Sequence, residues 1–255
     1  MIRIGPGGSA GLGNLEGIKH AKKLGLSALE VEFTYGVRML NQEAKELGKL
    51  AKQLGIALSC HAPYYINLAS FEKPKVHASK TRILQSCERA ENFGGKYVVF
   101  HAGFYQKKDP EKIFQIIKKE IISLKETLKE KAWKVQLAPE TTGKPSQFGS
   151  LDELLRLKKE TGCHITIDFA HLKARNNGVI DYDEVFKKIK HLKHVHAHFA
   201  GIEYTEKGER RHLITESKDI KELLSFIKKY KVDITIINES PDPFGDSIKT
   251  LKLIK

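Results

Sequence analysis

The sequence predicts a (β/α)8 barrel of the α/β class, and three observations predict it. Short apolar runs of strand length alternate with segments of helical period along the whole chain. There are eight of each, which favours a closed parallel barrel over an open doubly wound sheet. Six of the eight apolar runs end on residue types able to hold a metal: His61, His101, Glu140, Asp168, the pair His196 and His198, and Glu239. With 255 residues and 40% hydrophobic content the chain is long enough for one sizeable core, so a single domain over residues 1–255 is expected.

Taken in order, residues 2–5 read as a buried strand rather than as a signal peptide. The loop Gly5-Pro-Gly-Gly-Ser-Ala-Gly-Leu-Gly13 has Pro6 in its tight turn and lacks the Gly-x-Gly-x-x-Gly spacing. It is a strand-to-helix loop over the barrel mouth, and no dinucleotide cofactor is expected. A helix over 14–24 leads to strand 28–33, helix 41–54 to strand 56–61, and helix 76–93 to strand 97–101. Helix 110–129 precedes strand 134–140, helix 151–161 precedes strand 164–168, and helix 182–189 precedes strand 194–199. Helix 217–230, strand 233–239 and a last helix from Asp246 complete the pattern. Gly25, Gly55, Gly94-Gly95 and Gly162 stand just after helices, where a left-handed cap is easiest for glycine.

Cys60, Cys87 and Cys163 lie far apart with no Cys-x-x-Cys pair, which excludes a disulfide framework or zinc ribbon and leaves small core residues. No run of about 18 uncharged apolar residues exists, so no membrane span is expected and the protein is read as cytoplasmic. The formal charge of +13 and pI near 9.5 favour an anionic partner, either nucleic acid or a phosphorylated metabolite. A lysine-rich solvated surface accounts for the same charge equally well. Lys118-Lys119 and Lys187-Lys188 on helix faces belong to that surface.

Side chains alternate along a strand, so the face shared with each terminal residue can be read backwards by twos. Glu140 shares its face with Ala138 and Gln136, Asp168 with Thr166 and His164, and His61 with Ser59 and Ala57. These inward rows are small or polar, whereas Ile165/Ile167 and Val195/Phe199 are apolar and belong under the helices. The C-terminal strand ends of such barrels form one mouth, so the scattered imidazoles and carboxylates converge. Without cations they would repel or be desolvated unpaired. The mix of nitrogen and oxygen ligands without thiolate suits Zn²⁺ or Mn²⁺, and more than four candidates suggests more than one ion. On strand 28–33, Glu32 could meet a sugar or a metal-bound water, while Glu30 reads as a satisfied polar residue within the barrel.

Five segments carry a resemblance. His61-Ala-Pro-Tyr-Tyr-Ile-Asn-Leu68, Phe100-His-Ala-Gly103, Ala138-Pro-Glu-Thr141, Ile167-Asp-Phe-Ala-His171 and Asn238-Glu-Ser-Pro241 resemble, in order, the motifs of the endonuclease IV family of apurinic/apyrimidinic endonucleases. The resemblance implies a trinuclear zinc centre and hydrolysis of the phosphodiester 5′ of abasic sites in double-stranded DNA. By it, Glu140 is the catalytic centre and bridges two ions, one held also by His61 and His101, the other by Asp168, His196 and Glu239. His171 and His212 match ligands of a third ion. Tyr64 matches a tyrosine beside the site, and Arg38, Lys173, Arg175, Arg210 and Arg211 supply rim cations for phosphates.

Two departures stand out. Where the family has an aspartate two residues before the histidine at 212, this chain has Arg210, in Gly208-Glu-Arg-Arg-His212; Glu209 is either the substitute or a solvated loop residue. On the seventh strand His194, His196 and His198 alternate onto one face, and both His196 and His198 are kept as ligand candidates. The implied protein carries two or three Zn²⁺ ions, with Mn²⁺ as the alternative, and works as a monomer. A rival reading is a xylose-isomerase-like sugar or sugar-phosphate isomerase or epimerase, which needs only Glu140, Asp168, the seventh-strand histidine and Glu239 around one divalent metal. A third is a basic barrel that binds damaged nucleic acid without cutting it.

Overall fold

A computed structural model describes residues 1–254. The chain opens with β1 (Ile2–Pro6), α1 (Asn14–Lys23), β2 (Ala28–Glu32), α2 (Asn41–Leu54), β3 (Ala57–His61) and α3 (Lys73–Phe93). It continues through β4 (Tyr97–Phe100), β5 (Gly103–Phe104), α4 (Pro110–Glu130), β6 (Gln136–Pro139), β7 (Gln147–Phe148), α5 (Leu151–Thr161), β8 (Thr166–Asp168), α6 (Phe169–Arg175) and α7 (Tyr182–Ile189). It ends with β9 (Val195–Phe199), β10 (Gly201–Thr205), β11 (Gly208–Leu213), α8 (Ser217–Tyr230), β12 (Ile234–Asn238) and α9 (Pro243–Ile254).

Two parallel four-stranded sheets, β2-β3-β4-β6 and β1-β12-β9-β8, close on each other into the predicted eight-stranded barrel. The closures are single bridges, Gly7 to Glu30 and Glu140 to Thr166. At the first of them the backbones of β1 and β2 run so close that a Cβ on Gly5 would stand 1.9 Å from the Ala28 carbonyl oxygen. Only glycine fits there, because the obstacle is backbone and cannot swing aside. Gly5→Ala should therefore destabilise by about 3 kcal/mol or more, read from the urea midpoint; a loss below about 1 kcal/mol would mean that the closure is soft.

The outward strand faces, among them Val31, Val98, Leu137, Ile167 and Ile236, pack with Leu47, Ile83, Ile117, Leu154, Phe186 and Leu223 of the helices into one large apolar layer. On the inward side Tyr97, Val99 and Ala138 form a small separate apolar patch. Much of the rest of the interior is polar, with Glu30, Ser59, Thr166, His196 and His198 all buried. The sequence expectation that inward rows are small or polar holds, and the cysteines are buried and free. Boundaries differ where proline begins helices: α3 starts at Lys73 with Pro74 in its first turn, and α9 at Pro243. The two-residue pair β5–β7, the short α6 and the hairpin β10–β11 are additional to the sequence expectation. Among the described residues no helix is long and apolar enough to cross a membrane.

Candidate metal centre

The C-terminal strand ends open into a cavity of about 510 Å³. His61, His101, Glu140, His171, His212 and Glu239 line it, with Asp168 and His198 buried beside them. Parallel pairing sets this up, since register brings Glu32 beside His61 and Asp168 beside His198. Asp168 also caps α6, its Oδ1 accepting from the His171 N–H at 2.7 Å, so one turn of helix fixes these two residues relative to each other. The β10–β11 hairpin, paired antiparallel with Ile202 opposite His212, folds the last histidine back over the mouth.

Three groups of ligand atoms, each within 4.8 Å of one another, follow around the cavity: His61, His101 and Glu140; then Glu140, Asp168, His198 and Glu239; then Asp168, His171 and His212. Glu140 belongs to the first two and Asp168 to the last two. Glu140 Oε2 lies 2.9 Å from His101 Nε2 and 3.3 Å from His61 Nε2, while its Oε1 lies 2.7 Å from His198 Nδ1. His198 Nδ1 is also 3.1 Å from Glu239 Oε1.

The other ring nitrogens show which lone pairs are free. His61, His171 and His212 each point Nδ1 at a backbone carbonyl, those of Ala62, Thr141 and Glu239, at 2.7, 2.9 and 3.0 Å. A donating Nδ1–H leaves Nε2 as a lone pair aimed at the cavity, the arrangement that fixes metal-ligating imidazoles. His198 is turned the other way, with Nε2 2.8 Å from Glu30 Oε1 and Nδ1 toward Glu140.

Several of these atoms lack any hydrogen-bond partner although buried: Glu140 Oε1, Asp168 Oδ2, His101 Nε2, His198 Nδ1 and His212 Nε2. Acid and imidazole atoms approach closely, yet no N–H stands in line between them. Orphaned donors and acceptors are costly unless a further partner engages them. Lone pairs converging on shared points are what a divalent cation requires, so the residues present fit Zn²⁺ or Mn²⁺.

Electrostatics agree. Burial opposes ionisation of Glu140, but the charge on His198 and contacts from His101, His198 and His61 prevail and hold its carboxyl well below the usual range. Burial pushes Asp168 up, with His171 opposing, and pushes Glu32 up to about 8, with the charges of Glu30 and Glu239 adding. Burial works against a charged His61, yet Glu140 and Glu32 push it up to about 10; His171 and His198 rise for the same kind of reason. A cation bound there would take the place of those protons, and its affinity would fall as pH falls.

The structure separates the two seventh-strand candidates. Of the two candidates, His198 is the one grouped with Glu140, Asp168 and Glu239, whereas His196 lies one layer deeper, grouped with Glu30 and His198, its Nε2 2.8 Å from Glu30 Oε2. Strand alternation places both on one face, and only depth distinguishes them. Glu209 turns inward, its Oε2 3.4 Å from His171 Nε2, and despite partial burial that histidine holds its carboxyl down at about 2.

Arg210 and Arg211 stand apart from the ligand groups. Both are exposed and pair with Glu203, Arg210 at 2.9 Å: alternation turns Arg211 away from the side that His212 faces, and Arg210 falls at the register shift between Glu203 and Tyr204. Arg210→Ala should accordingly leave bound metal unchanged and stability within about 0.5 kcal/mol, whereas Glu209→Ala should weaken the His171–His212 group; equal metal loss in both would contradict this placement. Arg38 lies in a neighbouring cavity that shares only Glu32 and Thr34 with the centre. Arg175 is a loop clamp, donating to the carbonyls of Lys144 and Gln147, and Lys173 faces Asp219. Tyr64 does stand at the mouth, largely exposed, with its ring 6.0 Å from that of His61. Lys144, the cation that lines the cavity, was missed, since nothing in its sequence neighbourhood distinguishes it from a surface lysine.

A family profile described as "Xylose isomerase-like TIM barrel" matches residues 18–255. The chain is similar to an uncharacterized protein of Methanocaldococcus jannaschii, 39% identical over 243 residues that cover 91% of this chain and 88% of that one. It is also similar to a probable endonuclease 4 of Geobacillus sp. (strain WCH70), 30% identical over 196 residues covering 67% of this chain and 64% of the relative. Among solved structures, endonuclease IV from Thermus thermophilus superposes with a TM-score of 0.72 at 20% identity, covering 99% of this chain and 97% of that one. A D-psicose 3-epimerase does so with 0.73 at 14%, covering 99% and 100%. At such identities these two likenesses speak for the fold alone.

Proposed function

The chain belongs to the xylose isomerase-like TIM barrel family, and from that premise we propose that it is a metal-dependent endonuclease hydrolysing the phosphodiester 5′ of abasic sites in DNA. The observation that carries this reading is the sharing of Glu140 and Asp168 among three successive ligand groups. A one-metal isomerase needs the middle group and has no use for imidazole pairs on both flanks. Here His61 and His101 stand on one side, His171 and His212 on the other. The similarity to a probable endonuclease 4 over two thirds of the chain supports the same reading.

The three groups would hold two or three Zn²⁺ ions, which when bound lower the pKa of water to about 7 and neutralise charge building on phosphorus. The chain's own residues do the rest. Glu140, with one oxygen turned to each of the first two groups, would be the residue they share. Tyr64 and Lys144 at the rim meet the sugar–phosphate backbone, and the recessed cavity admits a sugar turned out of the duplex, which costs least where no base pair is broken.

The test is a labelled duplex carrying one stable abasic analogue, incubated with Zn²⁺- or Mn²⁺-loaded protein beside a chelator-stripped control. Incision on the 5′ side by the loaded protein alone is expected. The four-residue middle group is also what a sugar epimerase uses. Intact DNA together with interconversion of a ketose would therefore overturn the nuclease reading in favour of that one.

A further inference from the structure

The opposite end of the barrel holds a second cavity, of about 1030 Å³, walled by residues that lead into β4, β6, β8 and β9 and by the end of α5. Its charge is one-sided. Lys96, Lys158, Lys159 and Lys193 line it, and among the described residues none has a carboxylate within 4.0 Å. The wall's one acid, Glu160, is taken up by Arg156 at 2.7 Å and Lys118 at 2.7 Å. A smaller adjoining cavity of about 180 Å³ shares Lys96, Tyr97 and His194 and reaches Arg3, likewise without an acid partner.

A second observation is independent of the lysines. His164 is only 6% exposed, lines the larger cavity and has no hydrogen-bond partner for Nε2. Tyr97 stacks on its ring at 4.1 Å and 15°, which fixes the imidazole plane. Burial, then the charges of Lys158, His196, His194 and Lys96, hold that imidazole neutral, with its pKa down at about 2. The lysines in the last turn of α5 complement the helix dipole, which explains Lys158 and Lys159. It does not explain Lys96, Lys193 and Arg3, which precede or begin strands, nor an orphaned buried imidazole.

We propose that this cavity binds a small phosphorylated anion, its phosphate received by Lys96 and Lys158 beside the His164 ring. Its size admits a phosphorylated sugar or mononucleotide as readily as free phosphate. The site is independent of the chemistry at the mouth, so either reading can fail without the other.

The test uses the full chain with isotope-labelled histidine and inorganic phosphate as probe, at constant ionic strength set by NaCl. A saturable shift of the His164 ring signals is expected, weakened about tenfold by Lys96→Ala and again by Lys158→Ala. His171→Ala should leave that response intact, which separates it from phosphate at the mouth. A nucleoside monophosphate binding more tightly than phosphate would assign the Tyr97 side of the cavity to a base, and equal affinity would assign phosphate alone. No saturable shift, or the same affinity in the lysine variants, would overturn the site.

Discussion

Glu140→Gln should abolish phosphodiester hydrolysis, by about three orders of magnitude or more, while the protein still melts cooperatively. The argument is geometric. Glu140 is the one side chain common to the first two ligand groups, with Oε2 toward His61 and His101 and Oε1 toward His198. Glutamine keeps the volume but loses the charge and replaces one acceptor oxygen by an NH₂ donor, so one of the two groups loses a ligand oxygen whichever way the amide is turned. Metal analysis should show at least one equivalent lost. The fold should survive because the apolar layer between strands and helices does not include Glu140. A well-folded variant that keeps both metal and cleavage would remove Glu140 from the centre of the reaction.

Much of this site could be read from the chain because strand period and residue type coincide. His61, Glu140, Asp168 and Glu239 each end an apolar run, and a closed parallel barrel necessarily gathers such ends at one mouth. Depth was harder to read. His196 and His198 have identical alternation, and they are told apart by the tilt and stagger of β9 against its neighbours, a property of the assembled barrel. The loops were least legible. The β10–β11 hairpin carries a register shift between Glu203 and Tyr204, and that irregularity lets Glu209 and His212 both turn inward while Arg210 and Arg211 close on Glu203. Alternation alone does not say where the arginines of such a hairpin lie. α6 is seven residues long, too short to show a period, and it exists because Asp168 caps it.

The role of Glu30 leads to the second large effect. This carboxylate is wholly buried at the barrel axis, where an isolated charge would be prohibitive. It is held by the Ser59 hydroxyl, donating at 2.6 Å, and by His196 Nε2 at 2.8 Å, while its other oxygen lies 2.8 Å behind His198 Nε2. His198 Nε2 and Glu30 Oε1 are close without hydrogen-bond alignment, so what Glu30 offers His198 is its charge, which favours the proton on Nε2 and leaves Nδ1 facing Glu140 and Glu239. Glu30 is thus a positioning residue for the middle ligand group. Glu30→Gln removes the charge that selects that tautomer and should weaken metal binding by about 10- to 100-fold, while Ser59→Ala should change it far less. Stability supplies a second readout. Burial alone would raise the Glu30 carboxyl, but His198 and His196 outweigh it and hold it well below its ordinary value of 4.5. Its contribution is therefore fully present above about pH 4.5 and is lost as pH falls toward the depressed value, so the acid limb of the stability curve should be shallower in Glu30→Gln. Unchanged metal affinity, with the His198 tautomer the same by nitrogen NMR, would reduce Glu30 to a buried polar residue with no bearing on the centre.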